Sequence, residues 1–261
     1  MARFEWIEYK ENEEQKERVR EEAQHCHEEY NEDHYLKLAE KAFEDGLLSN
    51  ALKYFSRALN LNNKLKRAWI GQVLCLIGLG QYNEAVVWAD KALDFCRDDA
   101  ELLSAKAYAL NRVGAKEEAI RQSDQSIEKG KVTWFVWIAR GDIMLDTNCS
   151  DAEYCFLRAI ELADENWLVY MMVGTSFLSV HNASKAQHYL QKALALSGNN
   201  PLLYFHLANA YYQSGNIERS KNCLKRAIEL RPDFSEALVM MEKLSRKSII
   251  SKIFAYIGLK I

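Results

Sequence analysis

The sequence predicts an all-α solenoid, a row of helical hairpins stacked in one direction, because it repeats itself about every 34 residues. Two columns of small residues show the repeat. The first column holds Ala51, Ala85, Ala119, Ala152, Ala186 and Ser220. The second column holds Ala58, Ala92, Ser126, Ala159, Ala193 and Ala227. The columns stay in step through six units, except that one residue is missing between the third unit and the fourth.

Each unit is predicted to begin with a helix that carries a large residue beside a small one. The large, mostly aromatic positions are Tyr35, Trp69, Leu103, Trp137, Tyr170 and Tyr204. The small positions, four residues later, are Ala39, Val73, Ala107, Gly141, Gly174 and Ala208. This spacing puts both side chains on one face of a helix. A second helix can therefore approach that face closely and form a hairpin with the first.

A third feature of each unit is a residue suited to a tight reversal between the two helices. These residues are Gly46, Gly80, Gly114, Asn148, His181 and Gly215. Glycine, and less often asparagine or histidine, enters the left-handed backbone conformation in which many helices end. We therefore expect left-handed backbone at these six positions.

With these columns the chain resembles the tetratricopeptide repeat family, whose pattern is W-x2-L-G-x2-Y, then A-x3-F, then P. The sixth unit matches it best, with Tyr204, Leu207, Ala208, Tyr211, Gly215, Ser220, Leu224, Ala227 and Pro232. The resemblance implies a right-handed superhelical solenoid of six repeats over 32–65, 66–99, 100–133, 134–166, 167–200 and 201–234. Gln72, Lys106 and Arg140 stand where the family prefers leucine, and we expect looser packing there.

The two flanks differ from the repeats. Residues 1–31 predict a polar N-terminal helix, and residues 235–261 predict a capping helix followed by an apolar, cationic tail. Leu238, Met241 and Leu244 form one face of the capping helix, which would cover the last repeat. The tail either docks on the solenoid as a second cap or leaves it to engage a membrane surface or another chain.

Composition narrows the classes of partner and compartment. The net charge is -3 and the isoelectric point is near 6.1, so no nucleic acid partner is expected. No stretch of about 18 apolar residues predicts a membrane span. Residues 1–10 lack an apolar run after a basic start, so we expect no signal peptide and a cytoplasmic protein. The six cysteines form no CxxC, which favours buried, reduced thiols over disulfides.

Candidate catalytic and metal-binding groups are weak. His25, Cys26 and His27 are consecutive, so on a helix their side chains diverge by about 100° and cannot share one metal ion. Cys155 and His181 have no third group that would orient them as a nucleophile and its base. Glycine-rich phosphate loops and HExxH are absent from the sequence. We therefore predict a protein that is not an enzyme, with no cofactor and no metal.

The family resemblance implies that the first helices line an inner groove. The groove candidates are mostly apolar: Leu36, Ile70, Leu74, Tyr108, Phe135, Ile138, Met171, Phe205 and Asn209. Such a surface fits a protein or peptide segment, because exposed aromatic residues dominate protein interfaces. The alternative is that part of this set packs between neighbouring first helices.

Two binding modes known in the family are absent here. Chaperone-binding members clamp a C-terminal carboxylate with Lys, Asn and Arg, but the matching positions are Leu36, Glu40, Gly71, Glu101 and Ala105. The asparagine ladder of glycosyltransferase superhelices is replaced by Lys37, Gly71, Ala105, Ala139, Met172 and His206. The predicted function is a non-catalytic interaction scaffold or adaptor. The alternative is a peripheral membrane or complex-assembly factor that uses the C-terminal tail.

Overall fold

The computed structural model describes residues 31–130, 132–145 and 149–257, and these ranges contain thirteen α-helices and no strand. The helices are α1 (Glu32–Glu44), α2 (Leu48–Leu61), α3 (Lys66–Gly78), α4 (Tyr82–Phe95), α5 (Ala100–Val113), α6 (Lys116–Lys129), α7 (Trp134–Met144), α8 (Cys149–Leu162), α9 (Trp167–Ser179), α10 (Ala183–Ser197), α11 (Pro201–Gln213), α12 (Ile217–Leu230) and α13 (Ser235–Ile257). The predicted N-terminal helix lies outside the described residues. The side chains of α13 beyond Arg246 also lie outside the described residues, and the predicted docking of the C-terminal tail depends on them.

Helices α1 to α12 form six hairpins, and each hairpin packs on the next. The first helices α1, α3, α5, α7, α9 and α11 also contact one another in order and form an inner layer, while the second helices form an outer layer. The predicted all-α solenoid is confirmed. None of the helices in the described part of the chain combines the length and apolar character that a membrane span requires.

The small column is required by close packing inside each hairpin. A Cβ atom added to Gly141 would lie 2.5 Å from the ring of Phe156, and one added to Gly174 would lie 2.6 Å from Leu190 Cγ. Both partners are fully buried residues of the second helix of the same hairpin. Only a residue without a side chain fits these two places, so a large residue of the second helix packs directly against the backbone of the first.

The turn residues adopt the expected backbone. Gly46, Gly80, Gly114 and Gly215 have φ between +73° and +93°, and His181 has φ +57°. Left-handed backbone is thus confirmed at five of the six predicted positions. Asn148 lies outside the described residues.

The three positions that depart from the family pattern share a polar contact with the preceding hairpin. Gln72 Nε2 lies 3.5 Å from Ser56 Oγ, Lys106 Nζ lies 2.7 Å from Asp90, and Arg140 Nη1 lies 2.7 Å from Asp124. Each partner precedes its donor by 16 residues on the second helix of the previous hairpin. A polar ladder between hairpins thus replaces the leucine, an arrangement that was not evident in the sequence.

The first hairpin also meets the sixth, so the superhelix closes on itself. Asn200 caps the N-terminus of α11 and donates from Nδ2 to the Glu44 carbonyl at 2.8 Å. Arg231 Nη1 donates to the Asp45 carbonyl at 3.0 Å. Gly46 approaches Leu202 so closely that an added Cβ would lie 3.0 Å from Leu202 Cβ. Units of a simple solenoid contact only their neighbours, and this chain departs from that rule.

Candidate partner-binding cavities

The inner face holds two adjoining cavities. The first cavity has a volume of about 600 Å³ and lies between α1, α3 and the beginnings of α7 and α9. The second cavity, of about 380 Å³, lies between α3, α5, α9 and α11. Phe43 and Leu74 line both cavities, so the two spaces are neighbours along the same face. Closure of the superhelix brings the end of α1 opposite the start of α9 across this space.

The structure places seven of the nine predicted groove residues at these cavities. Those at the first cavity are Ile70, Leu74 and Phe135. Those at the second cavity are Leu74, Tyr108, Met171, Phe205 and Asn209. The remaining two line neither cavity. Ile138 is 0% exposed and Leu36 is 7% exposed, because both pack in the core of the stack, as the packing alternative had allowed.

Several cavity residues were absent from the predicted set. Phe43 and Glu44 come from the end of α1, and Trp134 and Trp167 are the first residues of α7 and α9. Trp134 is an aromatic residue outside the large column of the repeat. The others carry no signal in a single repeat, because only the closure of the superhelix brings them together.

Both cationic side chains that line the first cavity form ion pairs. Arg67 Nη2 lies 2.7 Å from Glu40, and Lys66 Nζ lies 2.7 Å from Glu101. The hydrogen bond to Glu101 raises the pKa of Lys66 despite its partial burial. The carboxylate of Glu44 has no ion-pair partner among the described residues. Glu44 is exposed to solvent on one side, and its partial desolvation together with the negative charges of Asp45 and Glu40 raises its pKa.

A buried polar network supports the wall of the second cavity. Asp142 of α7 accepts hydrogen bonds from Arg112 Nη2 at 2.5 Å, Asn111 Nδ2 at 2.8 Å and Ser176 Oγ at 2.6 Å. Arg112 also donates to the Tyr108 hydroxyl at 3.0 Å. The network joins the inner helices of three consecutive hairpins. It positions Tyr108 and Arg112, which both line the cavity.

The second cavity also contains the acidic residue Glu236, whose carboxylate accepts a hydrogen bond from Ser235 Oγ, while its remaining polar groups are uncharged at neutral pH or already paired. Burial lowers the pKa of His206 to about 4, so its imidazole is neutral at pH 7. Thr175, Asn209 and Gln213 contribute neutral hydrogen-bonding groups. The rest of the lining is mostly apolar. The cavity therefore suits an apolar side chain or backbone amides.

The described ranges contain no assembled site for metal binding or thiol chemistry. No group of three or more His, Cys, Asp or Glu side chains there is placed to hold a metal ion. Cys75 and Cys155 are buried free thiols, and burial raises the pKa of both. A raised pKa keeps these thiols protonated and poorly nucleophilic.

Comparison with known proteins agrees with the fold. Residues 177–244, which run from α9 into α13, match the tetratricopeptide repeat family. This part of the chain is tetratricopeptide repeat. The match covers the end of α9, the whole of α10, the sixth hairpin and the start of the capping helix, and the same hairpin architecture extends through the first four hairpins. No curated protein matches the chain.

Chains of two solved complexes have a similar fold. The APC/C hetero-tetramer Cut9–Hcn1 aligns with 82% of this chain at 15% identity and a TM-score of 0.50. The human IFIT1 dimer with PPP-AAAA aligns with 76% of this chain at 10% identity and a TM-score of 0.54. This chain spans 43% and 50% of the lengths of those two chains. At such low identity the likeness shows the fold alone.

Proposed function

We propose that this tetratricopeptide repeat protein is a non-catalytic scaffold or adaptor that holds a segment of a partner protein in its two inner cavities. The observation that carries the proposal is the pair of adjoining, largely apolar cavities on the inner face. Their volumes of about 600 and 380 Å³ fall within the range of about 300–1,000 Å³ found for ligand sites.

The shape of the inner face favours an extended segment over a helix. A helix with its side chains is about 10–12 Å across, so a cavity of the first one's size would hold roughly one turn. An extended segment is thinner and can place successive side chains in neighbouring cavities. Because the cavities are already formed, binding would order the partner and cost the scaffold little conformational entropy.

The test is partner capture by variants of a residue that lines both cavities. Tagged full-length protein, Leu74→Asp and Leu157→Asp would be used to purify partners from the native cells, with quantitative mass spectrometry as the readout. Leu157 is 54% exposed on the outer helix α8 and serves as the matched control. We expect Leu74→Asp to lose the partners that the native protein and Leu157→Asp retain.

Folding of both variants is checked by thermal melting followed by circular dichroism. Full capture by a folded Leu74→Asp variant would contradict the proposal. A cytoplasmic location and the absence of a nucleic acid partner remain expectations based on composition. The alternative role as a membrane or assembly factor depends on tail side chains beyond the described residues.

A further inference from the structure

The charges that line the first cavity do not balance. Its acidic residues are Glu40, Glu44 and Glu101, and its basic residues are Lys66 and Arg67. Both cations are engaged, Arg67 by Glu40 and Lys66 by Glu101 and Asp99. Glu44 is left as the acidic residue of the lining without an ion-pair partner among the described residues. A charged group that enters this cavity therefore meets a negative charge that nothing in the described chain neutralises.

Aromatic rings surround the same space. Phe43, Trp134 and Trp167 line the first cavity, and Phe135 lies beside Trp134 with the two ring centroids 5.8 Å apart. The face of an aromatic ring attracts a cation, and tryptophan does so best, by about 0.5–2 kcal/mol depending on how far the pair is removed from water. Phe43 precedes Glu44 in the chain, so the uncompensated carboxylate and an aromatic ring reach the cavity from the same turn of α1.

We propose that the first cavity recognises a basic side chain, lysine or arginine, of the partner segment, with Glu44 as its counter-ion and Trp134 and Trp167 as its aromatic walls. The inference rests on the proposed function, since it names the chemistry of the segment that the scaffold binds. The second cavity then takes a neighbouring apolar residue of the same segment.

Other occupants fit the first cavity less well. An anionic side chain would meet Glu44 and could win Lys66 or Arg67 only by breaking an existing ion pair. A wholly apolar side chain would remove Glu44 from water without giving it a partner, which is costly for a carboxylate. A cationic side chain gives Glu44 its missing partner and keeps the apolar contacts through its methylene groups.

The experiment is a selection followed by a coupling measurement. Random twelve-residue peptides displayed on phage would be selected on the full-length protein, on Glu44→Gln and on Glu117→Gln. Glu117 is an exposed glutamate of the outer helix α6 that lines neither cavity, so it is the matched control. We expect peptides with lysine or arginine at one fixed position to dominate for the native protein and the control, and to lose that preference on Glu44→Gln.

The best peptide would then be measured by calorimetry against native protein and Glu44→Gln, with its basic residue either present or replaced by norleucine. We expect each single change to weaken binding at least tenfold, and the two changes together to weaken it little further, because they remove the same interaction. Additive losses would overturn the assignment of Glu44. Selected peptides without a recurring basic residue would overturn the inference while leaving the proposed function standing, whereas selection of no peptide at all would overturn both.

Discussion

The side-chain amide of Asn200 donates a hydrogen bond of 2.8 Å to the backbone carbonyl of Glu44, which lies 156 residues earlier in the chain. The same asparagine accepts from the backbone N–H groups of Leu202 and Leu203 as the cap of α11. One side chain therefore caps the beginning of a helix of the sixth hairpin and also holds the turn of the first hairpin. This joint encloses the cavities that a more open array would expose.

Loosening the joint should open the superhelix. In the variant Asn200→Asp, Arg231→Met the cap is kept and methionine still covers Phe234, but both donors to the first hairpin are lost. We expect a larger radius of gyration by small-angle X-ray scattering and an unfolding free energy lower by about 1–3 kcal/mol. Asn166→Asp, at the corresponding cap of α9, should leave both quantities near the native values. An unchanged radius for the double variant would contradict closure in solution.

Among the polar contacts of the stack, the network around Asp142 should be the one whose substitution lowers the free energy of unfolding most. Asp142→Ala leaves Arg112 partly buried without its counter-ion, which should lower the unfolding free energy by about 3–5 kcal/mol in chemical denaturation. The control Asp90→Ala removes an exposed carboxylate from a surface pair with Lys106 and should cost less than about 1 kcal/mol. Similar losses for the two variants would mean that the buried network stabilises no more than a surface pair.

The contact between Gly141 and Phe156 can be tested by adding one methyl group. Gly141→Ala should lower the unfolding free energy by about 1–3 kcal/mol, because the fully buried ring of Phe156 must shift to admit it. The additional change Phe156→Leu should recover part of that loss. Gly130→Ala, whose added Cβ comes no nearer than 4.0 Å to Ala100, should melt like the native protein. Equal melting temperatures for Gly141→Ala and the native protein would argue against this packing.

His206 should make stability depend on pH below neutrality. Its pKa is near 4 in the folded protein because of burial and near 6.5 when unfolded, so between these values the unfolded chain binds a proton that the folded chain does not. The contribution of His206 to the free energy of unfolding is therefore fully present above pH 6.5. It is lost as the pH falls towards 4, and the loss is at most about 3 kcal/mol.

The contribution of His206 is isolated by substitution. His206→Gln should flatten the pH dependence of the unfolding free energy between pH 6.5 and 4, measured by urea denaturation at each pH. His188→Gln, on the outer helix α10, is the matched control and should keep the native slope. Identical slopes for the native protein and His206→Gln would contradict an imidazole that stays neutral in the folded protein.

Local chemistry in the sequence was sufficient to predict the hairpins. A left-handed turn at Gly46 or Gly215 is decided by the residue itself, and the fit of Gly141 against a large partner follows from helix geometry. Both effects act within one unit of about 34 residues. The sequence pattern therefore predicted the fold class, and seven of its nine groove candidates lie at the two cavities.

The closure of the superhelix was not predictable in the same way. Closure depends on the small rotation between each hairpin and the next, added up along the six hairpins. No single residue determines that total rotation. Glu44 and Trp167 belong to different repeats and line the same cavity only because the accumulated rotation closes the superhelix. Ile138 was predicted to line the groove but is buried in the core. An apolar residue on an inner helix fits both positions in the sequence pattern, and only the packing of its neighbours decides between them.

The contact of Arg231 with the Asp45 carbonyl also bears on how such a chain can change in length. An open array tolerates the gain or loss of a whole unit, since every unit meets the same kind of neighbour. Here an added hairpin would carry Arg231 past Asp45, and a removed one would leave it short. The number of hairpins is thus a structural constant of this protein, as the number of strands is in a closed barrel.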